Sequence, residues 1–329
     1  METFKALIVD KQEDDFSIGL KNISQTDLPK GDILIKVHYS SVNYKDGLAS
    51  IPDGNIVRNY PHIPGIDLAG VIVESTNDAF TVGQQVIATS YEIGVSQHGG
   101  FSEYARVNSE WVVPLPDGLT LKEAMIYGTA GFTAALAVHR LETSGVKKED
   151  GPILVSGATG GVGSIAVSML HKLGYEVTAS TGKETEHDFL RSIGATNIIS
   201  REALQPEKVR PLDKQLWAGA IDPVGGKTLS YILSTVKYGG AVSVMGLTGG
   251  PKLETTVFPF ILRGVNLLGI DSVYCPMNER KVIWERMASD LKPNTLNDVV
   301  NEVTLEELPE TLEAILAGKI KGRTIVSLT

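Results

Sequence analysis

Apolar residues fall into two different rhythms along the chain. Up to about residue 115 they come in short runs split by turn residues. Residues 4–9 and Ile33-Leu-Ile-Lys-Val-His-Tyr39 have strand character, the second with partial alternation. Leu28-Pro-Lys-Gly-Asp32 between them is turn chemistry. Val71-Ile-Val73, a turn and strand over 80–88, and a glycine loop with a short strand over 98–105 follow. Strand and helix do not alternate here, which predicts a separate, partly open β domain.

After Leu115-Pro-Asp-Gly-Leu-Thr120 the pattern changes. Residues 122–141 are alanine-rich with apolar positions at helical spacing, interrupted at Gly128 and Gly131. From Ile153 onward short apolar runs alternate with helical stretches. Strands are predicted at 153–155, 175–180, 197–199, 219–221, 241–244 and 265–270, and helices at 164–173, 186–193 and 226–236. Six such strands suit an α/β doubly wound parallel sheet. The tail returns to helix at 278–291 and 305–317. The strand predicted at 323–328 is expected to rejoin the first domain, so that the parallel sheet is an insertion.

The stretch Gly157-Ala-Thr-Gly-Gly-Val-Gly163 sits between the first strand of that sheet and its helix. It is a variant of the glycine-rich dinucleotide fingerprint. Glycines let the backbone approach a pyrophosphate, and a helix N-terminus offers free N–H groups and a positive dipole end. The strand before and the helix after favour a cofactor loop over a plain glycine turn.

Composition narrows the field. The chain has 329 residues, enough for two domains, and a net charge of −9, which argues against nucleic acid or a membrane surface as partner. No apolar run is long enough to span a bilayer, and the N-terminus is expected to carry no secretory leader. One cysteine, Cys275, excludes an internal disulfide and fits a reducing, cytoplasmic setting.

Five stretches carry a family resemblance: Ser41-Val-Asn-Tyr-Lys-Asp46, Pro64-Gly-Ile-Asp-Leu-Ala-Gly70, Gly99-Gly-Phe-Ser-Glu-Tyr104, the glycine loop, and Lys321-Gly-Arg-Thr324. They run nearly end to end. The chain resembles the zinc-independent quinone oxidoreductase branch of the medium-chain dehydrogenase/reductases, in a subgroup whose relatives include acrylyl-CoA reductases. The resemblance implies a Rossmann domain over 124–271, inserted in a GroES-like, partly open β-barrel catalytic domain made of 1–123 and 272–329. It implies cofactor contacts from Tyr44, Thr159, Gly160, Gly161, Val162, Gly163, Ser180, Thr181, Gly182, Lys183, Arg201 and Leu247. It also implies a homodimer paired through the edge strand 265–270, where neither proline nor lysine blunts the edge.

The residue types refine this. Zinc-dependent members place a cysteine where Asn43 stands and a His-Glu pair where Ile66-Asp67 stands. A catalytic zinc needs about three N, S or O ligands, so no metal is expected, and His38, His62 and His98 read as ordinary histidines. The end of the second parallel strand reads Thr178-Ala-Ser-Thr-Gly-Lys183, with no carboxylate for ribose hydroxyls; Glu184 lies next. Lys183 and Arg201 therefore favour NADPH over NADH.

Without a Lewis acid, the expected substrate is a small molecule already activated toward hydride: a quinone or an α,β-unsaturated carbonyl compound. Asn43, Tyr44 and Asp67 are the candidate catalytic residues. Asn43 has an amide donor, Tyr44 a hydroxyl near the nicotinamide, and Asp67 a carboxylate to orient one of them. Two alternatives stand beside this reading. One is an acrylyl-CoA reductase, with Arg58, Arg263, Lys321 and Arg323 as candidate phosphate contacts. The other is a non-catalytic NADPH-binding sensor.

Overall fold

The structure, a computed structural model, describes residues 3–13 and 15–329. Met1 and Glu2, part of the stretch read as carrying no leader, lie outside the described residues. In chain order the elements are β1 (Thr3–Gln12), β2 (Asp15–Ser24), β3 (Ile33–Val42), α1 (Tyr44–Ala49), β4 (Asp67–Ser75), β5 (Gln85–Thr89), β6 (Tyr104–Val107), β7 (Val112–Pro114) and α2 (Leu121–Thr143). Then come β8 (Ile153–Val155), α3 (Gly161–Lys172), β9 (Val177–Thr181), α4 (His187–Ser192), β10 (Asn197–Ser200), β11 (Trp217–Asp222), α5 (Gly226–Thr235), β12 (Val236–Val244), α6 (Phe258–Arg263) and β13 (Asn266–Gly269). The chain ends with α7 (Met277–Ala288), β14 (Val300–Val303), α8 (Leu308–Leu316) and β15 (Arg323–Ser327).

Two compact units result. The first runs up to Thr129 and includes Val273–Glu285 and Val300–Thr329; the second is Ala130–Ser272 with Arg286–Val299. The tail, expected to return in one piece from residue 272, is thus shared between them.

The first unit is built on a seven-stranded sheet in the order β14-β15-β3-β4-β5-β7, with β6 also paired to β3. β3 is its spine. Ile33, Ile35 and Val37 are fully buried in one core with Leu68, Ile72 and Val86, each such side chain contributing about 1.5–3 kcal/mol of burial. Leu34 and Val42 join a second core with Phe4, Leu7, Phe101 and Leu308. The last strand does rejoin this unit: β15 lies antiparallel to β3, with Val326 opposite Ser40. β2, which the hydrophobic pattern does not reveal, pairs along the whole of β1 as a hairpin. Its residues are mostly half-buried or exposed, so it lacks the apolar signature of the other strands.

The second unit is a six-stranded parallel sheet in the order β10-β9-β8-β11-β12-β13. Counted within the sheet this is 3-2-1-4-5-6, the doubly wound dinucleotide order, and it places the switch point between β8 and β11. β8 is buried at all three residues, as a central parallel strand covered on both faces should be.

α2 begins with a reciprocal cap, Thr120 N donating to Glu123 Oε2 at 2.9 Å and Glu123 N to Thr120 Oγ1 at 3.1 Å. It is broken at Gly128 (φ 50°, ψ −156°), one of the two predicted interruptions; Gly131 stays helical.

Candidate active site

At the C-terminal end of β3, Ser41 and Asn43 meet Asp67, Thr129 and Arg323 in the polar centre of the first unit. Asn43 caps α1, and its N–H donates to Asp46 Oδ2 at 2.8 Å. Its side-chain Nδ2 donates to Asp67 Oδ2 at 2.7 Å. Asp67, at the start of β4, also accepts from Ser41 Oγ at 2.5 Å, Thr129 N at 2.8 Å and Thr129 Oγ1 at 2.5 Å. Three of these donors converge on Oδ2 and one on Oδ1, so the buried carboxylate is well supplied with partners.

Arg323, 2% exposed, closes the network from β15. It donates to Ser41 Oγ at 2.9 Å, to Asn43 Oδ1 at 3.4 Å, to Val42 O at 3.2 Å and to Ile126 O at 2.9 Å. The break at Gly128 makes room for all of this. A Cβ there would sit on Ser41 Oγ, 2.5 Å from Asp67 Oδ2 and 2.9 Å from Arg323 Nη2. Of the predicted catalytic residues, Asn43 and Asp67 are therefore joined. Tyr44 follows them as the first residue of α1, with 49% of its surface exposed.

Ser41 and Thr129 are the members that sequence reasoning misses, and Arg323 is in sequence only one of four candidate phosphate contacts for the acrylyl-CoA alternative. Its burial corrects that reading. Arg263 is corrected as well: its guanidinium is spent on Ser234 O, Val236 O and Asp213 O at 2.9, 3.2 and 2.5 Å. Arg58 and Lys321 are at the surface.

Asp46 is fully buried. It accepts N–H donors on both oxygens, from Asn43 and, at 2.9 Å, from Ile66. Burial, followed by the charge of Asp67, still pushes its carboxyl up to about 7. Between the ordinary value of 3.8 and about 7 the folded protein holds a proton that the unfolded chain releases. Stability is therefore lost as pH rises through that window. In Asp46→Asn this loss disappears, so variant stability relative to the parent should rise from acid to neutral pH in urea titrations. A pH-independent difference contradicts the assignment.

The residue set does not fit a metal. Asn43 is neutral, its amide is taken up between Arg323 and Asp67, and a buried guanidinium occupies the neighbourhood. Among the described residues no group of three or more His, Cys, Asp or Glu is placed to hold an ion. His62 and His98 face each other, Nδ1 to Nδ1 at 3.4 Å. Burial holds both imidazoles below their usual value, His62 at about 4.

In the second unit the glycine loop leaves β8 and enters α3, whose N-cap is Gly160. Gly163 lets the helix press on the loop: a Cβ there would lie 2.7 Å from Ala158 Cα and 2.9 Å from Gly157 C. Thr159 and Thr181 bring their hydroxyls to 3.4 Å, and Ala158 N donates to Ser180 O at 3.0 Å. Asp222, at the end of β11, pins the other side of the switch point. It accepts from Ser156 Oγ, from Val224 N at 3.1 Å and from Gly225 N at 3.0 Å. Sequence reading missed Asp222; its place at the end of a parallel strand, just before Pro223-Val-Gly-Gly226, was the available signal.

Past the end of β9, Gly182 lies under Arg201; a Cβ there would be 2.7 Å from the guanidinium carbon. Arg201 is exposed, with Glu202 4.0 Å away. Lys183 N donates to Thr181 Oγ1 at 3.0 Å. Beyond β12 and β13 a cavity of about 480 Å³ opens, lined by Met245, Gly246, Leu247, Ile270 and Asp271 among others. Every predicted cofactor contact except Tyr44 thus lies in this unit, at or near the C-terminal ends of its strands.

Two family descriptions match this chain: the alcohol dehydrogenase GroES-like domain over residues 29–117 and the zinc-binding dehydrogenase domain over 161–289. A Bacillus subtilis protein named as a quinone oxidoreductase, YhfP, is 59% identical over 99% of both chains. The chain belongs to the medium-chain dehydrogenase/reductases. It falls in their zinc-independent branch, in keeping with the donor set at Asn43 and Asp67.

The acrylyl-CoA reductase AcuI of Ruegeria pomeroyi is 47% identical, again over 99% of both chains. A crystal structure of the B. subtilis protein with NAD bound covers 99% of this chain and 100% of its own, at a TM-score of 0.98 and 58% identity. The Salmonella enterica yhdH oxidoreductase in complex with NADP gives a TM-score of 0.96 at 46% identity, covering 99% of this chain and 100% of its own. The first unit is thus the GroES-like part and the second the Rossmann part of an oxidoreductase.

Proposed function

We propose that this chain is an NADPH-dependent reductase of quinones or α,β-unsaturated carbonyl compounds. The observation that carries the reading is the buried Asn43–Asp67–Arg323 network, where a zinc-dependent relative needs metal ligands. Such a site has no Lewis acid with which to activate an alcohol or a plain carbonyl. The substrate must bring its own electron sink, as a conjugated carbonyl does.

Bound NADPH supplies a hydride to the β-carbon of the alkene. The π electrons then move onto the carbonyl oxygen as an enolate, and a proton is added at the α-carbon. The glycine loop and the N-terminus of α3 hold the pyrophosphate, with Gly160, Gly161, Val162 and Gly163 as the cradle. Ser180, Thr181, Lys183 and Arg201 hold the ribose phosphate, and Leu247 borders the nicotinamide end. Tyr44 orients the substrate from the start of α1, and Asn43 and Asp67 fix that start. The 47% identity with an acrylyl-CoA reductase favours a second reading of the same chemistry, on a small enoyl-CoA thioester.

Turnover of NADPH with a panel of quinones, enones and enoyl-CoA esters tests this. Activity with at least one class supports it. Binding of NADPH without turnover of any of them would instead mean a sensor.

NADPH is expected to be preferred to NADH although one relative holds NAD. No carboxylate ends β9, and Gly182 seats Arg201 there. Lys183→Glu should lower kcat/KM for NADPH by about 10-fold or more, the loss of one charge-assisted contact, and spare NADH. A parent enzyme that prefers NADH contradicts the assignment.

The partner we assign is a second copy of this chain. β13 is the edge of the parallel sheet, and Ile261 and Leu262 on α6 are 68% and 57% exposed. Pairing of two β13 edges across a two-fold axis would satisfy the free backbone groups. Leu267→Pro should weaken a dimer seen by light scattering at micromolar concentration; a monomeric parent would refute it. Its lone, buried Cys275 suits a reducing cytoplasm.

A further inference from the structure

Arg323 spends every nitrogen of its guanidinium inside the first unit, yet its charge reaches Asp67 through intermediaries. Ser41 accepts from Arg323 and donates to Asp67. Asn43 accepts from Arg323 on Oδ1 and donates to Asp67 from Nδ2. The amide is thereby held in one orientation by a cation on one side and an anion on the other.

Apolar residues of similar volume often serve stability as well as a buried ionic set. What this set adds is orientation. Asn43 is the N-cap of α1, and Tyr44 is the next residue. Thr129, held by Asp67 through both its N–H and its hydroxyl, passes the constraint to Ser90, whose Oγ is 2.8 Å from Thr129 Oγ1. Ser90 and Tyr91 both sit in left-handed backbone (φ 65° and 50°), a conformation that costs energy and needs such anchoring.

We propose that Arg323 is a positioning residue for the reduction, acting through Asn43 and Ser41 to fix the start of α1 and with it Tyr44. This rests on the reductase reading above and on the place of Tyr44 in it. Arg323 itself touches no substrate.

A double-mutant cycle on Arg323→Gln and Asn43→Ala tests it in the full-length enzyme. Each single variant should lower kcat for an enone about 100-fold, the scale of a small misplacement at a reacting centre. The Kd for NADPH, read by fluorescence, should stay within about twofold, because ground-state cofactor binding is not the step being lost. The double variant should be no slower than the slower single, since both break one chain of contacts.

Additive losses, unchanged kcat in Asn43→Ala, or a loss carried by NADPH affinity would each overturn the proposal. If Arg323→Gln does not fold, Asn43→Ala decides, because it keeps both charges. An unsubstituted enzyme that turns over no substrate defeats the reductase reading and this inference with it. A working parent with an insensitive Asn43→Ala defeats this inference alone.

Discussion

Gly128→Ala is expected to cost about 4 kcal/mol of stability and nearly all activity, although the change adds one methyl group in the middle of a helix. Its backbone, at φ 50° and ψ −156°, is a conformation that glycine alone adopts readily, so any side chain brings strain of about 1–3 kcal/mol. The new methyl would also strike Ser41, Asp67 and Arg323. Moving Asp67 away from Ser41 or Thr129 strips a buried carboxylate of its hydrogen bonds, each worth about 1.5–3 kcal/mol when made to a charged group. Urea unfolding and NADPH turnover check both parts. A variant with parental stability would mean that α2 does not need its break.

The second large effect is expected at the glycine loop. In Gly163→Ala the added carbon meets backbone of Gly157 and Ala158, which cannot swing aside as a side chain would. The loop must lift away from α3, and the N–H groups at the helix start lose their aim at a pyrophosphate. NADPH affinity should fall by about 100-fold or more, equivalent to two charge-assisted hydrogen bonds of about 1.5–3 kcal/mol each. Far-UV circular dichroism should change little, since the sheet order rests on strands buried elsewhere. Isothermal titration with NADPH reads the loss; an unchanged Kd would place the pyrophosphate away from this loop.

How much of this the sequence carried depends on distance along the chain. The parallel sheet was legible because each of its units is local: a short apolar run, a glycine or polar turn, then a helical period. The cofactor loop was legible for the same reason, strand, loop and helix being consecutive. β2 was not, because a hairpin strand with half-exposed residues has no buried face to impose a period of two. α1, six residues long, is too short for a helical period to show.

The buried network was legible only in pieces. Asn43 and Asp67 stood out by residue type. Ser41, Thr129 and Arg323 come from β3, α2 and β15, and nothing local marks them as neighbours. Two signals pointed the same way. One was Gly128 interrupting an alanine-rich helix. The other was an arginine opening the apolar strand Arg323-Thr-Ile-Val-Ser327. A charge at the start of an interior strand must either reach water or find partners, and β15 lies between two neighbours in its sheet.

The central claim is hydride transfer to a conjugated alkene without a metal. The most direct measurement is mass and NMR analysis of product formed from NADPH deuterated at C4 of the nicotinamide, with an enone or acrylyl-CoA as acceptor, after dialysis against a chelator. The expected result is one deuterium at the β-carbon, a solvent proton at the α-carbon, and a rate unchanged by the chelator. Deuterium appearing at the carbonyl carbon, or a rate that collapses with the chelator and returns with zinc, would contradict it.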